Sequence, residues 1–422
     1  MEHSWTAFLL RRSPHKKTVL RVASSGIEQL QMNRKFKNKN RMRKYWYLSR
    51  IQKYLLLQVT LLFIALSIPS VSASDNLPSV ENSMTLDYAE QFSVDYFADG
   101  SKLFTLGDGQ QFYLPAINGQ VPENLPEEIT VLQRPIKNIY LAATAVMCLF
   151  DALGELDSIR LSGTKESGWY IEGAKQAMRD GKIIYAGKYS EPDYELFLEN
   201  ECSLAIESQM INHTPEVKEK LEELGIPVLI DLSSSEHHPL GRTEWIRFYG
   251  ALLDEEEKAD ELFREQAAFL NKTYSGGSTG KTAAFFHIST SGLVVVRKSG
   301  DYVSKMIELA GGKYVFDSIG DPEKSTSTAT IDMETFFAGA KEADVIFYNS
   351  TIAGEVDNLA ELLAKNPLLN EFKAVKDGNV WCTSQNMYQD TTHLGQMIQS
   401  FHRIFSGEAA ALDELPYFVR LR

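Results

Sequence analysis

Short apolar runs alternate with segments whose apolar residues recur at helical spacing along most of the chain after residue 138. In the first half of this region the pattern predicts strands over 139–141, 158–161, 183–185, 204–206 and 228–230, and helices over 143–153, 171–179, 193–198 and 215–224. In the second half it predicts strands over 283–288, 293–296, 345–348 and 380–383, and helices over 303–310, 333–340, 359–363 and 393–405. This rhythm is typical of βα units around a parallel sheet.

The stretch between these two sets of units predicts one long helix. Pro239 suits the first helical turn, and apolar residues such as Trp245 and Phe263 recur at helical spacing until the Ser-Gly-Gly sequence that begins at Ser275. A helix of this length between two sets of βα units is expected to be a rigid strut that joins two lobes. We therefore expect the free and solute-bound forms to superpose closely, because a helix resists bending better than extended linkers do.

A different pattern precedes the βα units. Short alternating segments over 92–97, 103–106 and 112–114 are separated by Asp-Gly turns, which is typical of a β-meander, and four prolines between 115 and 135 then indicate an extended link. The predicted fold is α/β, with two βα lobes around central parallel sheets, one long rigid helix between them and a small N-terminal β-meander. The predicted domain bounds are 1–73 for a leader and signal peptide, 74–135 for the meander and link, 136–238 for the N-terminal lobe, 239–275 for the inter-lobe helix and 276–422 for the C-terminal lobe.

A basic segment and a short apolar core open the chain. Residues 55–68 are mostly apolar, fewer than the ~20 residues that span a bilayer as a helix, and small residues follow up to Ala73. This arrangement predicts a secretory signal that is cleaved after Ala73, with an uncleaved membrane anchor as the alternative. A start at Met42 would give a signal of ordinary length, with 1–41 as upstream sequence. No cysteine stands directly after the apolar core, so we do not expect a bacterial type of lipid anchor.

Charge and cysteine content restrict the possible functions. Residues 1–53 carry 14 Lys and Arg, whereas the rest of the chain holds the other 29 against 54 Asp and Glu. A body that acidic repels phosphate backbones, so nucleic-acid binding is not expected. The three cysteines, Cys148, Cys202 and Cys382, are too few for a disulfide framework or a four-ligand zinc site, and we expect them in the core.

Four motifs occur in a distinctive order along the chain. They are Leu224-Gly225-Ile226-Pro227-Val228, His238-Pro239-Leu240-Gly241-Arg242-Thr243-Glu244-Trp245, Asp344-Val345-Ile346-Phe347 and Ala374-Val375-Lys376-Asp377-Gly378-Asn379-Val380. Together they resemble the class III extracytoplasmic solute-binding proteins of ABC importers, the group that carries ferric siderophores, heme and vitamin B12, over about residues 138–405. The resemblance implies an exported, monomeric binding protein without a cofactor or enzymatic activity. It would capture a metal chelate and deliver it to an ABC permease with its ATPase subunits.

The resemblance also implies two residues that dock on the permease. In this family one glutamate on each lobe meets arginines of the permease, and by position these are Glu195 and Glu334. Two carboxylates on rigid helices that pair with guanidinium groups fix the orientation of docking more than they add affinity. The alternative is that both are ordinary first-turn acids that complement the dipoles of their helices.

Candidate ligand residues are found in the loops at the carboxyl ends of the predicted strands, where open α/β sheets bind ligands. They are Lys165, Trp169, Tyr170, Met210, His213, His237, His287, Arg297, Tyr302 and Tyr388. Aromatic walls with a few cations suit a flat or catecholate iron chelate, heme or a corrin, whereas each residue alone could equally be a surface or lobe-packing group. Binding of a free divalent metal through histidines is the alternative, although the adjacent His237 and His238 should point apart.

Two further segments resemble enzyme motifs. Ser162-Gly163-Thr164-Lys165 fits the S-x-x-K motif of serine penicillin-binding enzymes, and a secreted serine hydrolase that uses Ser162 and Lys165 is the alternative from another class. Against it, the partner motifs at 298–300 and 384–386 occur in the wrong order, and Gly163 predicts a loop where that mechanism needs a helix. Residues 276–282 resemble a P-loop but lead into a strand, whereas a phosphate needs a helix N-terminus.

Overall fold

The computed structural model describes residues 77–422 except 275–276, 323, 325–326 and 355. The leader, the signal peptide and the cleavage site after Ala73 that the sequence predicts lie outside these residues. The described part of the chain contains no helix that is both long and apolar enough to cross a membrane.

An N-terminal sheet of five strands forms from the short alternating segments. Its strands, in both chain and spatial order, are β1 Val80–Ser83, β2 Phe92–Phe97, β3 Lys102–Leu106, β4 Gln111–Leu114 and β5 Ile129–Val131. The first four are antiparallel neighbours, and β5 runs parallel to β4. Phe92 and Phe104 pack their rings against Phe248, at centroid distances of 5.3 and 5.1 Å. The predicted meander is confirmed, and its core face is joined to the main body.

The N-terminal lobe is built on a five-stranded parallel sheet with the spatial order β12-β11-β6-β7-β8. Its strands are β6 Ile139–Leu141, β7 Ile159–Ser162, β8 Ile184–Tyr185, β11 Leu204–Ser208 and β12 Val228–Asp231, and a small antiparallel hairpin comprises β9 Gly187–Lys188 and β10 Glu191–Pro192. Its helices are α1 Met147–Leu153, α2 Glu172–Arg179, α3 Tyr194–Glu199 and α4 Pro215–Glu223. Each predicted strand and helix of this lobe is present, because its strands are apolar runs that are buried on both faces of a parallel sheet.

The predicted continuous helix over 239–274 is wrong. The chain forms two helices, α5 Pro239–Leu253 and α6 Glu256–Tyr274, separated by Asp254 and Glu255. Asp254 adopts a left-handed conformation with φ 62°. The guanidinium of Arg247 on α5 pairs with Asp260 and lies 4.4 Å from the centre of the Phe263 ring on α6. In one straight helix Arg247 and Phe263 would be about 24 Å apart along the axis. The two helices therefore fold back on each other.

The C-terminal lobe contains a mixed sheet with the spatial order β16-β14-β13-β17-β18-β20-β19, and β15 also pairs with β13. Its strands are β13 Thr282–Ile288, β14 Val294–Arg297, β15 Lys313–Tyr314, β16 Thr328–Ile331, β17 Val345–Tyr348, β18 Val380–Thr383, β19 Glu414–Leu415 and β20 Phe418–Arg420. Its helices are α7 Tyr302–Leu309, α8 Met333–Ala340, α9 Ser350–Ala353, α10 Leu359–Lys365, α11 Lys373–Lys376 and α12 Leu394–Ser406. The centre of this sheet is parallel, as predicted, whereas β14, β16, β20 and β19 are antiparallel additions at its edges.

The fold class predicted from the sequence is confirmed by these two lobes with parallel strands at their centres. One continuous hydrophobic core runs through both lobes and the two helices between them. Cys148, Cys202 and Cys382 are buried and free, as expected for small core residues.

Candidate ligand-binding site

Direct hydrogen bonds join the two lobes at the carboxyl ends of their central strands. The side chain of Gln389, which follows β18, accepts from the backbone N–H of Tyr170 at 2.8 Å and donates to the carbonyl of Gly168 at 2.7 Å. The hydroxyl of Tyr170 also donates to Gln385 at 3.3 Å. Parallel strands end at the same edge of a sheet, and this is the edge where open α/β sheets bind ligands. The predicted ligand-binding edges of the two lobes are therefore held together.

Arg297 lies at the end of β14 and is the centre of a buried polar group in the C-terminal lobe. Its guanidinium donates to the hydroxyl of Tyr388 and lies 3.4 Å from the carboxylate of Asp301. The Tyr388 ring centre is 5.0 Å from the same guanidinium. Arg297 is only 7% exposed, and burial raises the pKa of the Tyr388 hydroxyl, which keeps it protonated. These groups place a positive charge, paired with the carboxylate of Asp301, next to aromatic surface.

Arg242, in the first turns of α5, extends this group toward the N-terminal lobe. Its guanidinium stacks over the Tyr302 ring, 3.9 Å from the ring centre, and its Nη2 donates to the carbonyl of Ser234 at 2.5 Å. Its Nε is buried and has no hydrogen-bond partner among the described residues. Burial lowers the pKa of Arg242. Because buried donors are normally paired, the free Nε is an exception that needs an explanation.

The predicted histidines lie in three separate places. His287 is almost fully buried on β13 and lines a cavity of about 420 Å³ together with Ile352 and Lys365. Burial, with a smaller effect of the Arg297 charge, lowers the pKa of His287, so its imidazole is neutral near pH 7. His237 is half-buried and lines a different cavity, and His213 is exposed at the end of the loop after β11. In the described part of the chain, no three His, Cys, Asp or Glu residues are grouped as a metal site.

The candidates from the loop after β7 differ in exposure. Tyr170 is 45% exposed, and Lys165 is exposed with its ammonium 5.3 Å from the centre of the Tyr185 ring. Met210, from the loop after β11, is also well exposed. Trp169 is fully buried, and its indole N–H donates to the hydroxyl of Ser162 at 3.3 Å. The interpretation of Trp169 as a loop aromatic that offers its face to a ligand is wrong, because the ring packs in the lobe core.

The Ser162 geometry also bears on the hydrolase alternative. The Ser162 hydroxyl is fully buried and donates to the carbonyl of Thr164 at 2.7 Å. A serine nucleophile needs a base within hydrogen-bond reach and an approach for the substrate. The described contacts give Ser162 neither, since Lys165 is directed toward the Tyr185 ring. This alternative therefore receives no support from the geometry.

Glu195 and Glu334 occupy equivalent positions on two different lobes. Both are exposed in the first turn of a helix, on α3 and α8 respectively. Each helix begins after an aspartate that caps it, and the Asp193 and Asp332 carboxylates accept backbone N–H groups of the first turn. Because the caps already satisfy these N–H groups, both glutamates project freely from short, well-anchored helices.

A segment of the N-terminal extension is bound tightly to α5. We call residues 84–91 the strap. The carboxylate of Glu244 accepts from the backbone N–H groups of Asp87, Tyr88 and Ala89 at 2.7–2.8 Å. The carboxylate of Glu236 accepts from the next two backbone N–H groups at 2.9 and 3.0 Å, and from the Trp245 indole at 2.9 Å. Both glutamates are almost completely buried. The strap thus crosses the start of α5 as a fixed part of the inter-lobe region.

Sequence reasoning missed several residues of this junction. They are Glu236, Arg242, Glu244, Asp301, Gln385 and Gln389. Arg242 and Glu244 stand in the motif that opens α5, so this motif was the available signal for two of them. The glutamines had no signal of their own, because their role depends on the approach of a loop more than 200 residues earlier in the chain.

Two lobes with parallel central strands, joined at their ligand-binding edges by a polar junction, define a two-lobed solute-binding protein. The chain belongs to the periplasmic binding protein family, which it matches over residues 142–386. The N-terminal sheet and the strap precede the matched region.

Similar proteins are found among both sequences and solved structures. An uncharacterized lipoprotein of Methanocaldococcus jannaschii is 28% identical over 306 residues, which cover 68% of this chain and 70% of that protein. A second one from the same organism is 25% identical over 357 residues, covering 79% and 86%. The periplasmic heme-binding protein HutB of Vibrio cholerae superposes with a TM-score of 0.51 at 18% identity, covering 62% of this chain and 97% of HutB. A periplasmic binding protein from Veillonella parvula gives 0.51 at 19% identity, covering 65% and 92%. At these identities the structural similarities establish the fold.

Proposed function

We propose that the protein is the extracytoplasmic solute-binding component of an ABC importer. It captures a metal chelate, such as a ferric siderophore, heme or a corrinoid, and delivers it to the permease and its ATPase subunits as a monomer. The observation that carries this proposal is the inter-lobe junction, where the cationic and aromatic group around Arg297 and Tyr388 lies beside the hydrogen bonds of Gln389 to the other lobe. Such a group suits an aromatic or catecholate chelate, because cations and ring faces both contact it favourably.

Several further observations support this proposal. The family is one of solute-binding proteins, the similar HutB structure is that of a heme-binding protein, and the curated relatives are named lipoproteins. These names fit a location outside the cytoplasm, to which the predicted signal ending at Ala73 would direct the chain. The separate places of His213, His237 and His287 support a chelate over a free divalent ion bound through histidines.

Glu195 and Glu334 are the proposed contacts with the permease. Their exposure and their matched positions on two lobes support this role. Exposed ion pairs contribute only ~0–1 kcal/mol each, so they orient the docked complex more than they strengthen it. Loss of either carboxylate should therefore impair transport much more than it impairs solute binding.

The experiment compares solute affinity with uptake in vesicles that contain the reconstituted permease. Glu195→Ala and Glu334→Ala should retain wild-type affinity for the solute and lose most of the uptake. Matched controls are Glu199→Ala, at the other end of α3, and Glu342→Ala, which follows α8; both residues are exposed, and both variants should transport normally. Loss of solute affinity in the Glu195 or Glu334 variant would instead place that residue in the ligand site.

A further inference from the structure

A three-residue segment of the C-terminal lobe, residues 389–391, forms hydrogen bonds to the rest of the protein from both of its ends. Its first residue bonds to the loop over 168–170, as described above. The hydroxyl of its last residue, Thr391, donates to the carbonyl of Ala145, before α1, at 2.9 Å, and the Thr391 carbonyl accepts the Thr243 hydroxyl of α5 at 2.8 Å. We call this segment the latch, because it joins the C-terminal lobe to two loops of the N-terminal lobe and to α5.

The middle residue of the latch, Asp390, is held by the C-terminal lobe itself. One oxygen of its carboxylate accepts the Tyr417 hydroxyl at 2.7 Å. The other oxygen accepts the Thr392 hydroxyl at 2.6 Å and lies 2.6 Å from the Nδ1 atom of His393. The Asp390 side chain is only 18% exposed, so it depends on these donors for the hydrogen bonds that water would otherwise supply. Since Asp390 stands between the two residues that reach the N-terminal lobe, its donors also fix the positions of those two residues.

His393 is the donor whose charge changes near physiological pH. Its side chain is 46% exposed, so solvent can exchange its proton. The hydrogen bond to Asp390 raises the pKa of His393 above the ordinary 6.5; burial acts in the opposite direction, and the charges of Asp390 and Glu265 add to the rise. Burial alone would raise the pKa of Asp390, but the hydrogen bond and the charge of His393 lower it. The pair is therefore ionic in acid, and its hydrogen bond loses the assistance of charge as His393 releases its proton.

The other titratable groups around this pair come from three further elements. They are Asp151 and Cys148 on α1, Glu265 on α6 and Tyr417 beside β20. Burial, with a smaller effect of the Asp390 charge, raises the pKa of Cys148 to about 11 and also raises the pKa of Tyr417, so both stay neutral near pH 7. Helix α5 contributes Thr243, which does not titrate, and the basic residue in the last turn of α12 lies at the far end of that helix. His393 is thus surrounded by carboxylates.

Two of these carboxylates lie on opposite sides of the junction. Burial raises the pKa of Asp151 on the N-terminal lobe, and the charge of Asp390 on the C-terminal lobe raises it further, so the two groups repel each other. A protonated His393, bonded to Asp390, offsets this repulsion, whereas a neutral His393 leaves it uncompensated. The stabilisation of the closed junction is therefore fully present below about pH 6.5, the ordinary pKa of histidine, and is lost as the pH rises through the raised pKa of His393.

We propose that the latch is a pH-sensitive catch between the lobes: protonated His393 keeps it on the N-terminal lobe, and deprotonated His393 releases it. Release would separate the lobes beside Arg297, which is only 7% exposed while the latch is closed. On the proposed function this is where the solute enters, so capture would be easier above neutral pH than in acid. The latch itself belongs to the solute-free protein and its test needs no solute, so failure of the latch would leave the proposed function intact.

Hydrogen-exchange mass spectrometry of the solute-free protein at pH 5.5 and pH 8.5 tests this proposal. The intrinsic rate of the unfolded chain at each pH is divided by the measured rate, which gives a protection factor. The Tyr170 amide reports directly on the latch, because it donates to Gln389. Its protection factor should be about fivefold or more higher at pH 5.5 than at pH 8.5, as expected for the loss of one charge-assisted hydrogen bond.

Two histidine variants assign this pH dependence to the latch. His393→Gln keeps a side-chain donor for Asp390 but does not titrate, so the protection factor of the Tyr170 amide should differ by less than about twofold between the two pH values. His402→Gln is the matched control. This histidine lies on α12 and contacts the carbonyl of Ala310 within its own lobe, so the variant should retain the pH dependence of the wild type.

Amides of β11 monitor the global stability of the same samples. Glu207 on β11 also titrates, because burial raises its pKa to about 8, but it does so in the wild type and the variants alike. Three results would overturn the proposal. The first is equal protection of the Tyr170 amide at both pH values in the wild type, and the second is an undiminished pH dependence in His393→Gln. The third is an equal effect of His393→Gln on the β11 amides and on the Tyr170 amide, because the variant would then act through global stability.

Discussion

The backbone N–H of Tyr170 donates to the side-chain oxygen of Gln389 at 2.8 Å, and the two residues belong to different lobes. The same glutamine donates to the carbonyl of Gly168 at 2.7 Å, so one side chain satisfies two backbone groups across the junction. This contact holds the lobes at the edge where the ligand is expected. Because α5 and α6 are two separate helices, such contacts and the continuous core, rather than one rigid strut, set the spacing of the lobes.

Replacement of Gln389 by alanine should loosen the junction without unfolding either lobe. Each lost hydrogen bond is worth ~1 kcal/mol, so the Tyr170 amide should exchange its hydrogen about fivefold or more faster. Hydrogen-exchange mass spectrometry of the solute-free protein measures this. Gln176→Ala is the control, because its side chain donates to Asp180 within the N-terminal lobe. Unchanged protection at Tyr170 in the Gln389 variant would contradict the account.

The attachment of the strap to α5 should depend strongly on Glu244. This carboxylate is fully buried and accepts three backbone N–H groups of the strap as well as Arg247. Glu244→Ala leaves the three backbone N–H groups without an acceptor and removes one partner of Arg247, which keeps its pair with Asp260. We therefore expect a loss of ~3 kcal/mol or more in the free energy of unfolding. Urea denaturation tests this against Glu257→Ala, an exposed glutamate in the first turn of α6. A loss below ~1 kcal/mol would show that the strap is held by other contacts.

Glu207, on the inner strand β11 of the N-terminal lobe, should make stability depend on pH. It is fully buried, its carboxyl oxygens have no partner among the described residues, and burial raises its pKa to about 8 from the ordinary 4.5. The folded protein then binds a proton that the unfolded chain releases above its ordinary pKa. The contribution of the protonated Glu207 to the free energy of unfolding is fully present at low pH. It falls by ~1.4 kcal/mol per pH unit between about pH 4.5 and 8.

Glu207→Gln removes that titration. The free energy of unfolding of the variant should exceed that of the wild type by an amount that grows from pH 5 to pH 8. Denaturant titrations across this range measure the difference, and Glu199→Gln, an exposed change in the same lobe, should show no such trend. A constant difference between the Glu207 variant and the wild type would mean that the buried carboxyl is already ionised at pH 5.

Trp169 and Tyr170 are adjacent but should respond differently to truncation. Trp169→Ala removes a fully buried ring and should lower the free energy of unfolding by ~3–5 kcal/mol. Tyr170→Ala should leave stability within about 1 kcal/mol, because that side chain is 45% exposed. Urea denaturation of the two variants in parallel measures both losses in the free energy of unfolding. Equal and small losses in both would restore the ligand-contacting role that the sequence predicts for Trp169.

Regular elements of this protein are predictable where local pattern decides them. The parallel strands of the N-terminal lobe are short apolar runs between polar segments, and the sequence alone places each of them. Four strands of the C-terminal lobe are not predicted from the sequence: Lys313–Tyr314, Thr328–Ile331, Glu414–Leu415 and Phe418–Arg420. They have two to four residues each, too few to show a clear period. Their pairing depends on neighbouring strands that are distant in the chain.

The break between α5 and α6 illustrates a second limit. Asp254 is neither glycine nor proline, so no strong local signal marks it. Its left-handed conformation coincides with contacts of its carboxylate to Lys102 and Arg134, both more than 100 residues earlier. The junction residues have the same property, since Arg242 finds Tyr302 60 residues later. Such sites depend on tertiary contacts that a single sequence does not display.

The central claim is that the protein binds a metal chelate between its lobes. The most direct measurement is a tryptophan-fluorescence titration of residues 74–422 with heme, cobalamin, ferric siderophores and free divalent metals. Its three tryptophans, Trp169, Trp245 and Trp381, are all buried, and Trp169 adjoins the junction between the lobes. We predict a saturable change with one class of chelate and none with free metals. A saturable response to a free metal alone would contradict the account. So would the absence of a saturable response to every chelate in the panel.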